Sequence, residues 1–264
     1  MKRTYALVVL LLIATSMFAT GDKGPSHRPN ASGNNFMAAA IPPFLTPPCA
    51  DVIASFDDCP LTGCGELGDA ALNVAKNRTG VPSAIKGITL DEIRRLPQPR
   101  QWNTGADRSS IQGPGKEGSG VMVTGFLLKA KAEGKESCNC GLSRRADTDV
   151  HLVLVSKMPD AKTKEAIAES EKDSVTAEIT PRVRGQNEKW LFRNINDLEG
   201  SYIRVTGYLM LDSKHFPQSQ ILQGERLNHN LSRATNWEVH PITKIEVCSK
   251  SREECERGKG WKNY

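Results

Sequence analysis

The sequence predicts a mainly β protein built on a small closed barrel, preceded by a small Cys-rich region of loops and helix. Three observations carry that expectation. Five segments alternate apolar and polar residues with the period of two that a half-buried strand requires. A helical spacing of apolar residues falls between the third and fourth of them. The first and fourth are each interrupted by a glycine, which suits the sharp coiling that barrel closure demands. Three strands, one inserted helix and two more strands is the element order of the five-stranded OB-like Greek-key barrel. An immunoglobulin-like sandwich needs about seven strands and has no use for the helix.

Each element has its own signal. "VMVTGFLLKAK" (Val121 to Lys131) is the first strand, with Gly125 marking a bulge or bend. "DVHLVLV" (Asp149 to Val155) and "SVTAEIT" (Ser174 to Thr180) are the second and third, separated by a charged excursion from Asp160 to Lys172. In "NEKWLFRNINDLEG" (Asn187 to Gly200), Trp190, Leu191, Ile195 and Leu198 recur at helical spacing and a glycine ends the run. "YIRVTGYLMLD" (Tyr202 to Asp212) is the fourth strand and "TNWEVHPITKIEVC" (Thr235 to Cys248) the fifth. The barrel is therefore expected over 118–248, behind a flexible joint, "GPGKEGSG". Upstream, 49–117 reads as the Cys-rich loop-and-helix region. Its clear helix is "TLDEIRRLP", where Thr89 and Glu92 have capping-box spacing and Pro97 closes the end. Residues 249–264 read as a charged C-terminal tail.

Residues 1–20 have the form of a secretory signal peptide: Lys2 and Arg3, an apolar run from Tyr5 to Ile13, then small residues. Residues 21–48, rich in Gly, Pro, Ala, Ser and Asn, read as a disordered lead-in. An exported protein, periplasmic or secreted, is expected to form disulfides. The candidates are Cys49, Cys59, Cys64, Cys138, Cys140 and Cys248, and the total of seven Cys leaves one thiol over. Cys138 and Cys140 are too close to bridge each other without strain, so each should reach the N-terminal segment or Cys248. The alternative is a thiolate zinc site from Cys59, Cys64, Cys138 and Cys140. The formal charge of +5 is compatible with an anionic partner without demanding one.

The period of two also sorts the side chains. Val150, Leu152, Leu154, Val175, Ala177, Ile179, Trp237 and Val239 should point into the barrel. Asp147, Asp149, His151, Glu178, Glu238 and His240 should then share its solvated outer surface, because the third strand of such a barrel lies between the second and the fifth. His215, just past the fourth strand, approaches from the rim. Imidazoles with carboxylates suit zinc or another divalent transition metal, with Asp149, His151, Glu238, His240 and His215 as ligands. Calcium would not want the imidazoles. Arg144, Arg145, Arg182 and Arg184 lie near the same strand ends, where they could meet phosphates.

"SFDDCPLTGCG", "GKESCNCGL", "ADTDVHLVLV", "SVTAEITPRVR", "VTGYLMLDSKHF" and "NWEVHPITKIEVC", in this order over Cys49 to Cys248, resemble an uncharacterised family of exported bacterial proteins. The resemblance implies a shared Asp-x-Asp-x-His-Leu, a later His and a Glu-x-His-Pro, which fall here on Asp147, Asp149, His151, His215, Glu238 and His240. It implies no reaction. Three functions follow from the residues. One is an exported OB-type binding module for oligonucleotides or oligosaccharides, though only 6% of residues are aromatic and no outward pair for base stacking stands out. Another is a metal-dependent phosphodiesterase or nuclease-like hydrolase. The last is a structural interaction domain of the periplasm. Metal content separates the second from the others.

Overall fold

The computed structural model describes residues 45–49, 53–65, 68–99, 102–185, 187–215 and 231–264. The expectations for the signal peptide and for 21–44 of the lead-in lie outside these. The strands are β1 (Ile85–Gly87), β2 (Gly120–Ala132), β3 (Val150–Val155), β4 (Val175–Ile179), β5 (Tyr202–Leu211), β6 (Trp237–Cys248) and β7 (Trp261–Asn263). Five of them close a circuit in the order β2, β3, β4, β6, β5 and back to β2. All neighbours in it are antiparallel except β4 and β6, which meet in parallel at Ala177 and Val239. That is the OB-like barrel. β1 adds in parallel to β2 and β7 pairs antiparallel with β6, both outside the circuit.

Strand β2 is long enough, at 13 residues, to serve two neighbours. Gly120 to Phe126 pairs with β5, and Phe126 to Ala132 with β3. Its register slips between Leu127 and Lys129, and there Leu127 and Leu128 are both buried in succession. The second bend is at Gly207, where β5 and β6 slip register. A Cβ at this position would run into the Pro241 carbonyl oxygen and lie 2.8 Å from Val239 Cγ1. Only glycine lets the two backbones approach so closely. The core is the predicted one: Val150, Leu152, Leu154, Val175, Ala177, Ile179, Trp237 and Val239 all pack inside. Trp237 is the largest fully buried side chain, and its Nε1 donates to the Pro97 carbonyl at 3.0 Å.

The helices differ more from expectation. Helix α1 (Ala70–Lys76), capped by Asp69, and α2 (Leu90–Arg94), with its Thr89–Glu92 capping box, lie before the barrel. The charged excursion contains α3 (Lys164–Glu171), capped by Thr163. The one helix expected over Asn187 to Gly200 is instead a 3₁₀ turn (Glu188–Trp190) followed by the short α5 (Phe192–Asn196), with a separate α4 (Pro181–Arg184) just before it. Gly185, at φ 50°, ends α4, and Trp190, Ile195 and Leu198 reach the core as the helical spacing implied. Residues 249–264 are not a tail. They form α6 (Arg252–Glu256) and β7. Thr46, placed in the lead-in, is buried and its amide bonds to Gly68. Among the described residues no helix is long and apolar enough to cross a membrane.

The disulfides are Cys49–Cys64, Cys59–Cys140 and Cys248–Cys255. Cys140 thus reaches the N-terminal region as expected. Cys138 does not: it is a free, buried thiol, and Cys248 pairs with Cys255, which lay outside the expected set. The thiolate zinc site is ruled out because three of its four sulfurs are in bridges. The Cys59–Cys140 bridge closes a separation of 81 residues. In the chain-entropy model such a loop is worth about 4.5 kcal/mol.

Candidate functional site: a buried polar face

Strand β4 sits between β3 and β6, and its Glu178 stands opposite His151 in the ladder. With Trp237 and Val239 inside, Glu238 and His240 take the other face of β6, so His151, Glu178 and His240 meet across three strands. That face is not wet. His151 is 6% exposed, Asp149 3%, Glu178 1%, and Glu238 and His240 are fully buried. The expectation of a solvated outer surface is therefore corrected. The reason lies outside the barrel. Helix α1 and the 3₁₀ turn Ser137–Asn139 pack together over this face, and the Cys59–Cys140 bridge pins that turn to the Cys-rich region. Lys76 from α1 and Glu136 beside the turn form an ion pair at 2.8 Å.

Glu178 is the centre of the cluster. Its Oε1 lies 2.5 Å from His151 Nε2 and its Oε2 lies 2.9 Å from His240 Nδ1. The other ring nitrogen of His151, Nδ1, is 2.9 Å from Glu133 Oε1. His240 Nδ1 also hydrogen-bonds Glu238 Oε1 at 3.2 Å, while its Nε2 faces Asp149 Oδ2 at 3.5 Å. Arg233 Nη1 donates to both Glu238 and Asp212, each at 3.1 Å. His215 lies at the far end of this string, 2.5 Å from Asp212. It is not brought to His240.

Several of these close approaches are not aligned as hydrogen bonds. Asp149 Oδ2, both oxygens of Glu178, His151 Nε2 and His240 Nε2 are buried without a hydrogen-bond partner. They are paired by charge rather than by well-aligned hydrogen bonds, and five such atoms in one place call for an explanation. One ligand atom from each of Asp149, Glu178 and His240 lies within 4.8 Å of the others. The electrostatics point the same way. Burial pushes His151 and His240 down, but Glu178 above all, with the flanking carboxylates, more than reverses this and raises both to about 10. Burial likewise opposes ionisation of Glu178, yet the two imidazoles hold its carboxyl well below the usual range. Asp149 is pushed up to about 6 by burial, and Glu238 to about 7 by burial and by Glu178.

The arginines do not converge on this cluster. Arg184 is buried and donates to the Thr148 and Ala146 carbonyls at 3.3 and 2.5 Å. Arg182 lies over the Phe56 ring at 4.7 Å and donates to the Cys59 carbonyl. Arg145 lies over Phe192 at 5.4 Å, and Arg144 pairs with Asp147 at 2.5 Å. Arg144, Asp147 and Arg184 line a cavity of about 370 Å³. Sequence reasoning missed Glu133, Arg233, Asp212, Lys76 and Glu136. Asp212, which directly follows β5, had a signal in its position three before His215. Lys76 and Glu136 had none, since only tertiary packing brings them here.

The sequence matches no family model and no curated protein. Among solved structures, two of asparaginyl-tRNA synthetase from Entamoeba histolytica are similar to this chain at 15% and 14% identity, the first in complex with asparaginyl-adenylate. Each likeness covers 54% of this chain with TM-scores of 0.26 and 0.25. This chain spans 23% of the length of those proteins, and its fold assignment rests on strand order alone.

Proposed function

We propose that this protein is an exported OB-type binding module whose ligand is a divalent transition metal of the zinc class. Asp149, Glu178 and His240 hold the ion, with His151 beside them. The observation that carries this reading is that Asp149, Glu178 and His240 each bring one ligand atom within 4.8 Å of the others, on a patch where five buried polar atoms are paired by charge but not aligned as hydrogen bonds. A cation is the partner such atoms share best. Both imidazoles also have the support that metal-bound histidines use: a carboxylate, Glu133 or Glu238, orients one ring nitrogen, while the other faces Glu178 or Asp149, the carboxylates proposed as ligands. One divalent ion would replace the two protons that His151 and His240 otherwise hold against the surrounding carboxylates. The mixed imidazole and carboxylate set fits zinc better than calcium.

Binding is favoured over phosphodiester cleavage. Ligands that are 0–6% exposed offer a polymer chain no path to the ion. The arginines that would track a phosphate backbone are engaged with protein carbonyls, rings and Asp147. Three disulfides fit an oxidising compartment. The test is a zinc titration of chelator-stripped protein in competition with a chromophoric chelator. At least one tightly held ion per chain is expected, lost in Glu178→Gln and in His240→Ala. A folded wild-type protein that takes up no zinc would overturn the reading and leave the cluster as a buried ionic network.

A further inference from the structure

The seventh cysteine sits against the same cluster. Cys138 is free and 3% exposed, in the 3₁₀ turn that covers the polar face. Its position is held from several sides. Asn77 Nδ2 donates to its carbonyl at 3.0 Å, Asn139 accepts from the Glu136 amide at 2.9 Å, and the next residue but one is bridged to Cys59. Its sulfur lies 3.0 Å from Glu136 Oε2. Ligand atoms of Glu136, Cys138 and Asp149 all lie within 4.8 Å of one another. Asp149 therefore belongs to two groups at once, and its Oδ2 is buried without a hydrogen-bond partner.

We infer that the site is binuclear: a second ion of the zinc class binds between Glu136, Cys138 and Asp149, with Asp149 bridging the pair. The inference rests on the metal reading of the first site. A carboxylate shared between two ions about 3.5–4 Å apart is a common arrangement, and a thiolate selects a borderline or soft ion over magnesium or calcium. On binding, the Cys138 thiol gives its proton to solvent and its sulfur takes up the metal bond. Six carboxylates, Glu133, Glu136, Asp149, Glu178, Asp212 and Glu238, are gathered around the two ligand groups. An entry lies close by: a cavity of about 270 Å³, lined by Lys76, Glu136, Ser137 and His215 among others, opens beside Glu136.

The experiment is an anaerobic cobalt(II) titration of the chelator-stripped full chain, with zinc X-ray absorption on the same protein. Two cobalt equivalents are expected, one of them developing a thiolate-to-cobalt charge-transfer band, and zinc should show a sulfur neighbour at about 2.3 Å. Cys138→Ser should lose the band and one equivalent and keep the other. His240→Ala should lose the equivalent that carries no band. One equivalent with no thiolate band and no sulfur neighbour in the wild-type protein would sink the second ion while leaving the first. Uptake of neither ion would overturn both. Because the wild-type spectra decide the matter, a Cys138→Ser chain that fails to fold does not blunt the test.

Discussion

At Glu178 the barrel places one carboxylate between two imidazoles, and each of its buried oxygens faces one ring without an aligned hydrogen bond. Replacing it with glutamine keeps the volume but removes the charge that both rings face. Zinc should then fail to compete with the chelator at all. If the proposed ion is bound, Glu133→Gln and Glu238→Gln act differently, because these carboxylates lie against a ring nitrogen and are not among the proposed ligands. Each should weaken zinc binding about 10- to 100-fold while leaving stoichiometry intact. Equal effects from all three substitutions, read in one competition titration, would contradict this division of roles. At this scale the sequence was informative about direction and silent about burial. The period of two placed Glu238 and His240 opposite Trp237, since parity is a local property of a strand. That the polar side would be 0–6% exposed was not legible, because the cover comes from α1 and the Ser137–Asn139 turn, distant in sequence. Arg233, which touches Glu238 and Asp212, precedes its strand and carries no periodic signal.

Among the elements, β5 and β6 are joined by more than their ladder. Arg204 and Glu246 stand directly opposite and make two hydrogen bonds, both at 2.8 Å, and the guanidinium also lies over Trp261 of β7 at 4.5 Å. The Arg204 hydrogen bonds hold the Glu246 carboxyl below its usual 4.5. A depressed carboxylate stabilises the fold above its unfolded pKa, and that contribution is lost as the pH falls through the folded value. Glu246→Gln should therefore cost about 1 kcal/mol at neutral pH, measured by urea unfolding. The difference from wild type should shrink below about pH 4.5. A second test at this scale is Gly207→Ala. The added methyl meets the Pro241 carbonyl, which is backbone and cannot swing away, so a loss of about 1–3 kcal/mol is expected. The five barrel strands were readable because each is long enough to show its period. Three-residue β1 and β7 exist only as additions to β2 and β6, and have too few residues to show one. Helix α6 does carry a local signal, the Ser251 and Glu254 capping box.

For the whole molecule the question is what keeps this cluster of buried carboxylates and imidazoles out of water. The barrel alone does not, since the polar face lies outside its apolar core. The cover does, and the Cys59–Cys140 bridge ties it to the Cys-rich region. Removing that bridge in Cys59→Ala/Cys140→Ala frees a closure of 81 residues, a loss of about 4.5 kcal/mol in the chain-entropy model. The barrel keeps its own core, so the two parts should respond unequally. Hydrogen exchange should rise first in α1 and the Ser137–Asn139 turn, with β2 to β6 still protected. Metal affinity should fall along with the cover, because water then competes for Asp149, Glu178 and His240, and the second ligand group loses the placement of Cys138. Zinc added in excess should restore protection to α1 and the turn, since a ligand that binds only the closed form draws the equilibrium toward it. Exchange that rises uniformly across barrel and cover, unmoved by zinc, would show that the bridge serves the fold as a whole rather than the closure of the metal site.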